Sequence, residues 1–200
     1  MNPLFPLFLK LDKRQALVVG GGGMATLRVS QLMRAGAAVT VVAPKVTPEI
    51  EDLARSGRIE LRRGEFQPGD LSNRFYVVIA ATSDPGVQTA VAAEAKRHGI
   101  LLNVVDNPQL SDFYMPAVVE RGDLVLAIST AGKSPFLAGK LRQWLEEIIP
   151  EDAGDLVSVL ALLRTKLKIA IPHDLDEQKR LLNDFLEEVL HHEGTGKSSR

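Results

Sequence analysis

Apolar residues in the first half of the chain fall in short unbroken runs. Gln15–Val19 (QALVV), Val39–Val42 (VTVV), Ile59–Leu61, Tyr76–Ala80 (YVVIA) and Leu101–Val105 (LLNVV) each have glycine, proline or charged residues within a few positions of both ends. Runs this short and continuously apolar predict strands covered on both faces, the habit of a parallel sheet. Segments of roughly 10–15 residues with helical spacing separate them. Met24–Ala35 carries Ala25, Leu32 and Met33 among the polar Arg28 and Arg34, and Gly36 stops it. Thr47-Pro48 and Asp84-Pro85 each set a capping oxygen before a proline whose missing N–H does no harm, so two more helices start there. They close near Gly57 and at Gly99, just past His98. The alternation predicts an α/β fold: a Rossmann-type parallel sheet with helices on both faces, over residues 1–112.

The pattern then changes. Phe113–Glu120 and Leu124–Thr130 flank Arg121-Gly122-Asp123, which predicts a β-hairpin. Ser134-Pro135 opens a helix with Leu137, Leu141, Trp144 and Ile148 on one face, and Pro150 ends it. Residues 113–150 thus form a second region. Residues 151–193 form a helical C-terminal region: an apolar helix over 153–171 closed by Pro172, then Asp174-x-x-Glu177, the spacing of a capping box. The helix behind it bears Leu181, Leu182, Phe185, Leu186, Val189 and Leu190 on one stripe, which must pack on something. Residues 194–200 (GTGKSSR) read as a disordered tail.

Composition narrows the function classes. Of 200 residues, 24 are Lys or Arg and 25 Asp or Glu, a net charge of -1. A nucleic-acid binder normally shows a basic excess, so no nucleic-acid partner is expected. With no cysteine there is no disulfide, thiolate metal site or cysteine nucleophile. The N-terminal MNPLFPLFLKLDKRQ lacks the basic start and long apolar middle of a signal peptide. No run approaches the roughly 18 apolar residues of a membrane helix, so no membrane partner is expected and the chain reads as cytoplasmic.

Candidate chemistry begins at the first strand's end. Gly20-x-Gly22-x-x-Ala25 matches the dinucleotide-binding fingerprint. Gly20 permits the tight turn, Gly22 lets backbone approach a pyrophosphate, and Ala25 lets the helix pack closely on the strand. The helix N-terminus then offers free N–H groups to the phosphates. The competing reading is a glycine turn without a ligand; the strand before and the helix after argue against it. The second strand ends in Ala43-Pro44-Lys45 and not in the acid that commonly holds the ribose hydroxyls. Lys45 is open to two readings, a partner for the 2′-phosphate of NADP or a solvated lysine.

Asn103-Val-Val-Asp106-Asn107-Pro108 ends the fifth strand, where open parallel sheets gather ligand chemistry. A carboxylate there acts as a general base or, equally, caps the turn before Pro108. Ser129-Thr130-Ala131-Gly132-Lys133-Ser134-Pro135 is a second small-residue loop, an anion cradle or simply a helix cap at Ser134. His98, His173, His191 and His192 show no metal spacing, and no metal ligands are assigned.

These motifs occur in a fixed order: the glycine loop, Ala80-Ala-Thr82-Ser-Asp84, Asn103–Pro108, Phe113-Tyr-Met-Pro116 and Ser129–Pro135. Over about residues 4–150 the chain resembles the precorrin-2 dehydrogenase family, which includes the N-terminal module of siroheme synthase. The resemblance implies that NAD⁺ takes a hydride from the tetrapyrrole precorrin-2 to give sirohydrochlorin. It implies Asp106 as the catalytic residue, a proton acceptor. It implies cofactor contacts at Gly20, Gly22, Gly23, Met24, Ala25, Pro44, Lys45 and Thr82, so NAD is bound without the acid after the second strand. Asn103, Thr130, Lys133 and Ser134 become candidate substrate contacts. Lys140, Arg142 and Arg121 are candidate partners for the substrate's carboxylates, or plain surface charges. Some members also insert ferrous iron, which makes Fe²⁺ a second substrate, and some carry a phosphorylated serine where Thr130 stands. The family is homodimeric through the region after the Rossmann part, which makes 113–150 a dimerisation region. The alternative is a dinucleotide-sensing regulatory module without catalysis. Such modules usually keep the acid that is missing here, and they have no use for Asn-Val-Val-Asp-Asn-Pro.

Overall fold

A computed structural model describes residues 4–195 of the backbone and side chains to Val189. Five parallel strands form one sheet: β1 (Gln15–Val19), β2 (Ala38–Ala43), β3 (Glu60–Arg63), β4 (Phe75–Ala80) and β5 (Leu101–Val104), in the order β3-β2-β1-β4-β5. Alternate residues of each strand serve opposite faces. Ala16, Val18, Val41, Val77 and Ile79 meet Ala25, Val29 and Leu32 of helix α1 (Gly23–Arg34) and Ile50 of α2 (Pro48–Arg55). Leu17, Val19, Val42, Val78 and Ala80 meet Val91 and Ala95 of α3 (Pro85–His98), with Phe66 and Leu71 from the connection before β4. The double burial expected of continuous apolar strands is present in β1, β2, β4 and β5, but not in the edge strand β3, which is Glu60–Arg63 where Ile59–Leu61 was expected and whose residues are exposed or half-buried.

The predicted helix starts form as their chemistry dictates. Thr47 Oγ1 accepts from Ile50 N at 3.4 Å, and Asp84 Oδ1 accepts from Gly86 N and Val87 N at 2.8 and 3.1 Å. Gly99 closes α3 in the left-handed conformation at φ 64°.

The outer edge of β5 is finished by side chains. Leu102 N donates to Asp112 Oδ2 at 3.0 Å, and Val104 N to Ser111 Oγ at 2.9 Å. Asp112 N donates to Leu102 O at 2.8 Å. The segment expected to begin a strand at Phe113 thus lies against β5, and the hairpin strand starts only at Ala117.

The chain divides into two compact units. One reaches to Met115 and takes in Ala131–Lys133; the other comprises Pro116–Thr130 and the chain from Ser134 onward. In the second, β6 (Ala117–Arg121) and β7 (Leu124–Ile128) form an antiparallel hairpin around Gly122. Helices α4 (Pro135–Ile148), α5 (Ala153–Ala170) and α6 (Leu175–Thr195) follow. Arg121 closes the end of α4 by donating to Glu146 O at 2.9 Å and Ile149 O at 3.3 Å. Asp174 accepts from Glu177 N at 2.9 Å, but the Glu177 carboxylate turns to Arg180, so half of the expected capping box forms. The α6 stripe of Leu181, Leu182, Phe185, Leu186 and Val189 is half-buried. The side chain of Leu190 and residues 196–200 of the expected tail lie outside the described residues, whereas 194 and 195 belong to α6. Among the described residues no helix is long and apolar enough to cross a membrane.

Candidate dinucleotide and catalytic site

Register aligns the strand ends. Val19 pairs with Val42 on one side and Ala80 on the other, and Ala80 pairs with Val104. The next residues, Gly20, Ala43, Ala81 and Val105, therefore share the carboxyl edge of the sheet. The strand order reverses between β1 and β4, with β2 and β3 on one side and β5 on the other, and the crevice at such a switch point is where open α/β sheets bind ligands.

The glycine loop fills this crevice from β1. Gly20 sits at φ 124°, and a Cβ on it would stand 2.2 Å from Ala81 O. Gly20 N donates to Val42 O at 2.9 Å, and Ala81 N to Val19 O at 2.7 Å. Gly21 is pressed as hard on the other side: a Cβ would stand 2.0 Å from Lys45 O, and Thr47 N donates to Gly21 O at 2.9 Å. Gly22 and Gly23 differ, because a Cβ on either meets nothing within 4 Å. Gly22 caps α1 without any side-chain bond, and no acid stands in the first turn. The first intrahelical donor is Thr26 N, to Gly22 O at 3.0 Å. The amides before it project from the helix end, as α-helix geometry requires. A bare, open, acid-free helix N-terminus fits a pyrophosphate, and the residues present fit a dinucleotide. Ala25 is fully buried against the strands, and Met24 is exposed beside the opening.

Thr26 is a residue that sequence reasoning missed. Its Oγ1 lies 2.7 Å from Thr47 Oγ1 and so joins the glycine helix to the β2–α2 loop. That loop carries Pro44 and Lys45, both exposed. Thr82 stands two residues past β4; its Oγ1 accepts from Asp84 N at 3.2 Å and its carbonyl accepts from Gln88 Nε2 at 2.8 Å.

Asp106 follows β5, two strand spacings or about 10 Å from the β1 end. It is exposed and holds the left-handed conformation at φ 59°. The next residue anchors it: Asn107 Nδ2 donates to Gln88 Oε1 at 3.2 Å. Gln88 on α3 thereby ties the loops after β4 and β5 together, a second contact that no motif announced. Arg28 on α1 is half-buried. Burial lowers the Arg28 pKa, and Asp106 opposes that shift.

The remaining candidates are engaged in local contacts or are exposed. Asn103 is buried and donates to Phe113 O at 2.9 Å. In the second unit Thr130 Oγ1 accepts from Ser134 N, and Ser134 Oγ caps α4 at Leu137 N, both at 3.2 Å. Lys133 is exposed. Lys140 lies over the Phe136 ring and Arg142 pairs with Glu146. Arg121 is occupied at the end of α4. His98 bonds Asn73 at the end of α3. Among the described residues no cluster of His, Asp or Glu has the grouping of a metal site.

Comparison with known proteins meets this geometry. Residues 7–117 match a family described as "Putative NAD(P)-binding". The fold and the glycine crevice define the same class, an NAD(P)-binding Rossmann protein. The siroheme synthase of Methylococcus capsulatus is 46% identical over 167 residues, which cover 84% of this chain and 35% of that protein. The siroheme synthase of Chromobacterium violaceum is 39% identical over 186 residues, 93% of this chain and 39% of that one. The chain thus spans little more than a third of the length of these relatives. A solved structure titled "SirC, precorrin-2 dehydrogenase" is 31% identical, superposes with a TM-score of 0.75, and matches over 90% of this chain and 88% of its own. The chain belongs to the precorrin-2 dehydrogenase family.

Proposed function

We propose that the chain is an oxidoreductase that converts precorrin-2 to sirohydrochlorin, a step of siroheme synthesis, with NAD⁺ as acceptor. The observation that carries the reading is the shared edge: the open helix N-terminus at Gly22–Gly23 and the carboxylate of Asp106 stand at the ends of β1 and β5 in one sheet. NAD⁺, when bound, supplies the hydride acceptor. The chain's own residues do the rest. The amides of Gly22, Gly23, Met24 and Ala25 hold the pyrophosphate, while Gly20 keeps the loop tight enough to present them. Pro44, Lys45 and Thr82 flank the nucleotide. Asp106 accepts the proton released with the hydride, so that two electrons and one proton pass to the acceptor and one proton to the carboxylate. Asn103, Thr130, Lys133 and Ser134 remain our candidates for the substrate side, Asn103 through the segment that it fixes.

Three finer statements extend the reading. The acceptor is NAD⁺ in preference to NADP⁺, with Lys45 serving the loop rather than a 2′-phosphate. The protein is a homodimer through residues 113–150, with residues 1–112 as the nucleotide domain and 151–193 as a helical extension. Asp106 also takes protons from pyrrole N–H groups during insertion of Fe²⁺, a substrate and not a resident ion. We place these steps in the cytoplasm, where a cysteine-free chain needs no oxidising compartment.

The test supplies precorrin-2 with NAD⁺ or NADP⁺ and follows reduced dinucleotide by absorbance. Rapid NADH formation is expected, abolished in Asp106→Asn; none with active substrate overturns the reading. Sirohydrochlorin with Fe²⁺ or Co²⁺ then tests the second step, and undiminished insertion by Asp106→Asn refutes a shared base.

A further inference from the structure

The glycine loop and the loop after β2 are joined by two hydroxyls whose protons can be assigned. Thr26 Oγ1 donates to Gly22 O at 3.2 Å and lies 2.7 Å from Thr47 Oγ1. Each hydroxyl has one proton. That of Thr26 is spent on Gly22 O, so Thr47 is the donor of the shorter bond. A lone pair of Thr47 Oγ1 then accepts from Ile50 N at 3.4 Å. One direction of donation thus runs from the cap of α2 to the carbonyl of Gly22. Further contacts press the same loops together. Thr47 N donates to Gly21 O at 2.9 Å, and Gly21 lies so close to Lys45 O that a Cβ would stand 2.0 Å from it. Val46 packs in the core cluster with Ala25, Val29 and Ile50. Pro44 and Lys45, the exposed part of the loop, are therefore held from behind at Val46 and Thr47.

This brace stands where the fold ordinarily holds the adenosine ribose. The usual holder is an acid at the end of the second strand, and residues 44–47, between β2 and α2, contain none. A carboxylate side chain can follow a ribose by changing rotamer. Backbone groups cannot, so recognition by the loop itself needs a loop already fixed in place. We propose that Thr26, acting through Thr47, is a positioning residue for the dinucleotide: the two hydroxyls hold Pro44 and Lys45 against the glycine loop, so that their backbone meets the 2′-hydroxyl of the adenosine ribose in place of the missing acid. This role rests on the reading of Gly20–Ala25 as the pyrophosphate loop.

The experiment compares wild type with Thr26→Val, which keeps the shape and removes the hydroxyl, and Thr26→Ser, which keeps the hydroxyl. NADH and 2′-deoxy-NADH, which lacks the hydroxyl on the adenosine ribose, are titrated by fluorescence. Thr26→Val is expected to weaken NADH about three- to tenfold, the worth of one hydrogen bond, and Thr26→Ser to recover most of that loss. 2′-Deoxy-NADH should bind wild type more weakly than NADH does, and should lose less than about twofold in Thr26→Val. Equal losses for the two ligands would mean that the hydroxyls serve the pyrophosphate helix and not the ribose loop, and would overturn the proposal. Unchanged NADH affinity in Thr26→Val, or no recovery in Thr26→Ser, overturns it as well. Amide hydrogen exchange of the ligand-free proteins needs no dinucleotide: Lys45, Val46 and Thr47 should exchange about threefold faster or more in Thr26→Val, with α3 unchanged as the control for folding. Equal rates refute the brace. Should wild type bind no NADH, the reading of the glycine loop fails together with the ribose role, while exchange still decides whether Thr26 orders the loop.

Discussion

Gly21 and Gly22 are neighbours with opposite tolerances. A Cβ at Gly21 would collide with Lys45 O and crowd Val46 Cγ1 at 2.9 Å, whereas one at Gly22 meets open space. Gly22 also has ordinary extended backbone at φ -84°. Gly22→Ala should therefore fold at least as well as wild type, since alanine restricts the unfolded chain by roughly 0.4–1 kcal/mol. It should nevertheless weaken NADH binding about tenfold or more by projecting into the phosphate space. Gly21→Ala should instead cost about 2 kcal/mol or more of stability. Denaturation with NADH titration separates the two, and unchanged affinity in Gly22→Ala would remove the phosphates from this loop. The fingerprint spacing made Gly20, Gly22 and Ala25 legible in the sequence. Gly21 was not, because its need arises from a loop beginning at Pro44. Asp106 shows the same limit: its position at a strand end was readable, its left-handed backbone was not. That backbone has a consequence, because asparagine tolerates the conformation and alanine is disfavoured there by about 1 kcal/mol or more. Asp106→Ala should unfold at lower denaturant than Asp106→Asn, with equal loss of turnover; equal midpoints would mean that the position is unstrained.

At the scale of elements, continuous apolar runs and cap-plus-proline starts were enough to outline four of the strands and the three helices of the sheet unit, while the edge strand β3 runs through Glu60–Arg63, past the expected Ile59–Leu61. What they could not show is how edges are finished. Phe113 read as the start of a hairpin strand, yet Asn103 grips Phe113 O, and Ser111 and Asp112 just before it satisfy β5's free backbone groups. Side chains that mimic a strand leave no hydrophobic period to read. The hairpin has a hidden requirement of the same kind. Gly154, near the start of α5, lies under its turn, and a Cβ there would stand 2.2 Å from Arg121 O and 2.8 Å from Gly122 Cα. In sequence it is an isolated glycine between Ala153 and Asp155. Gly154→Ala should lose about 2 kcal/mol or more in the second unit, seen as faster proteolysis of the helices and the hairpin. NADH binding by the sheet unit should persist. A wild-type proteolysis rate would show that α5 can shift off the turn without cost.

For the whole molecule, the informative surface is that of the second unit. The period of α4 was legible, but what its face meets was not. Leu137, Trp144 and Ile148 are 49%, 57% and 50% exposed, and Phe136 is 77% exposed. On α5, Leu162 and Ile169 are exposed as well. Single exposed apolar residues are ordinary, but a run of large ones along one helix is not. Of the charges on helix α4, Arg142 pairs with Glu146, Lys140 lies on the Phe136 ring, and Glu147 is exposed. A second copy of the chain would cover the same patch with itself, as two-fold association requires. Wild-type protein should then sediment as a dimer at micromolar concentration, and its thermal midpoint should rise with concentration, because association stabilises only the folded form. Trp144→Glu with Ile148→Glu would place two carboxylates from each copy in the contact, where an unpaired charge is strongly disfavoured. That variant should sediment as a monomer with a concentration-independent midpoint, while NADH still binds the glycine crevice of each chain. A wild-type monomer, or a dimer indifferent to both substitutions, would move the contact away from α4 and leave its apolar face to a different partner.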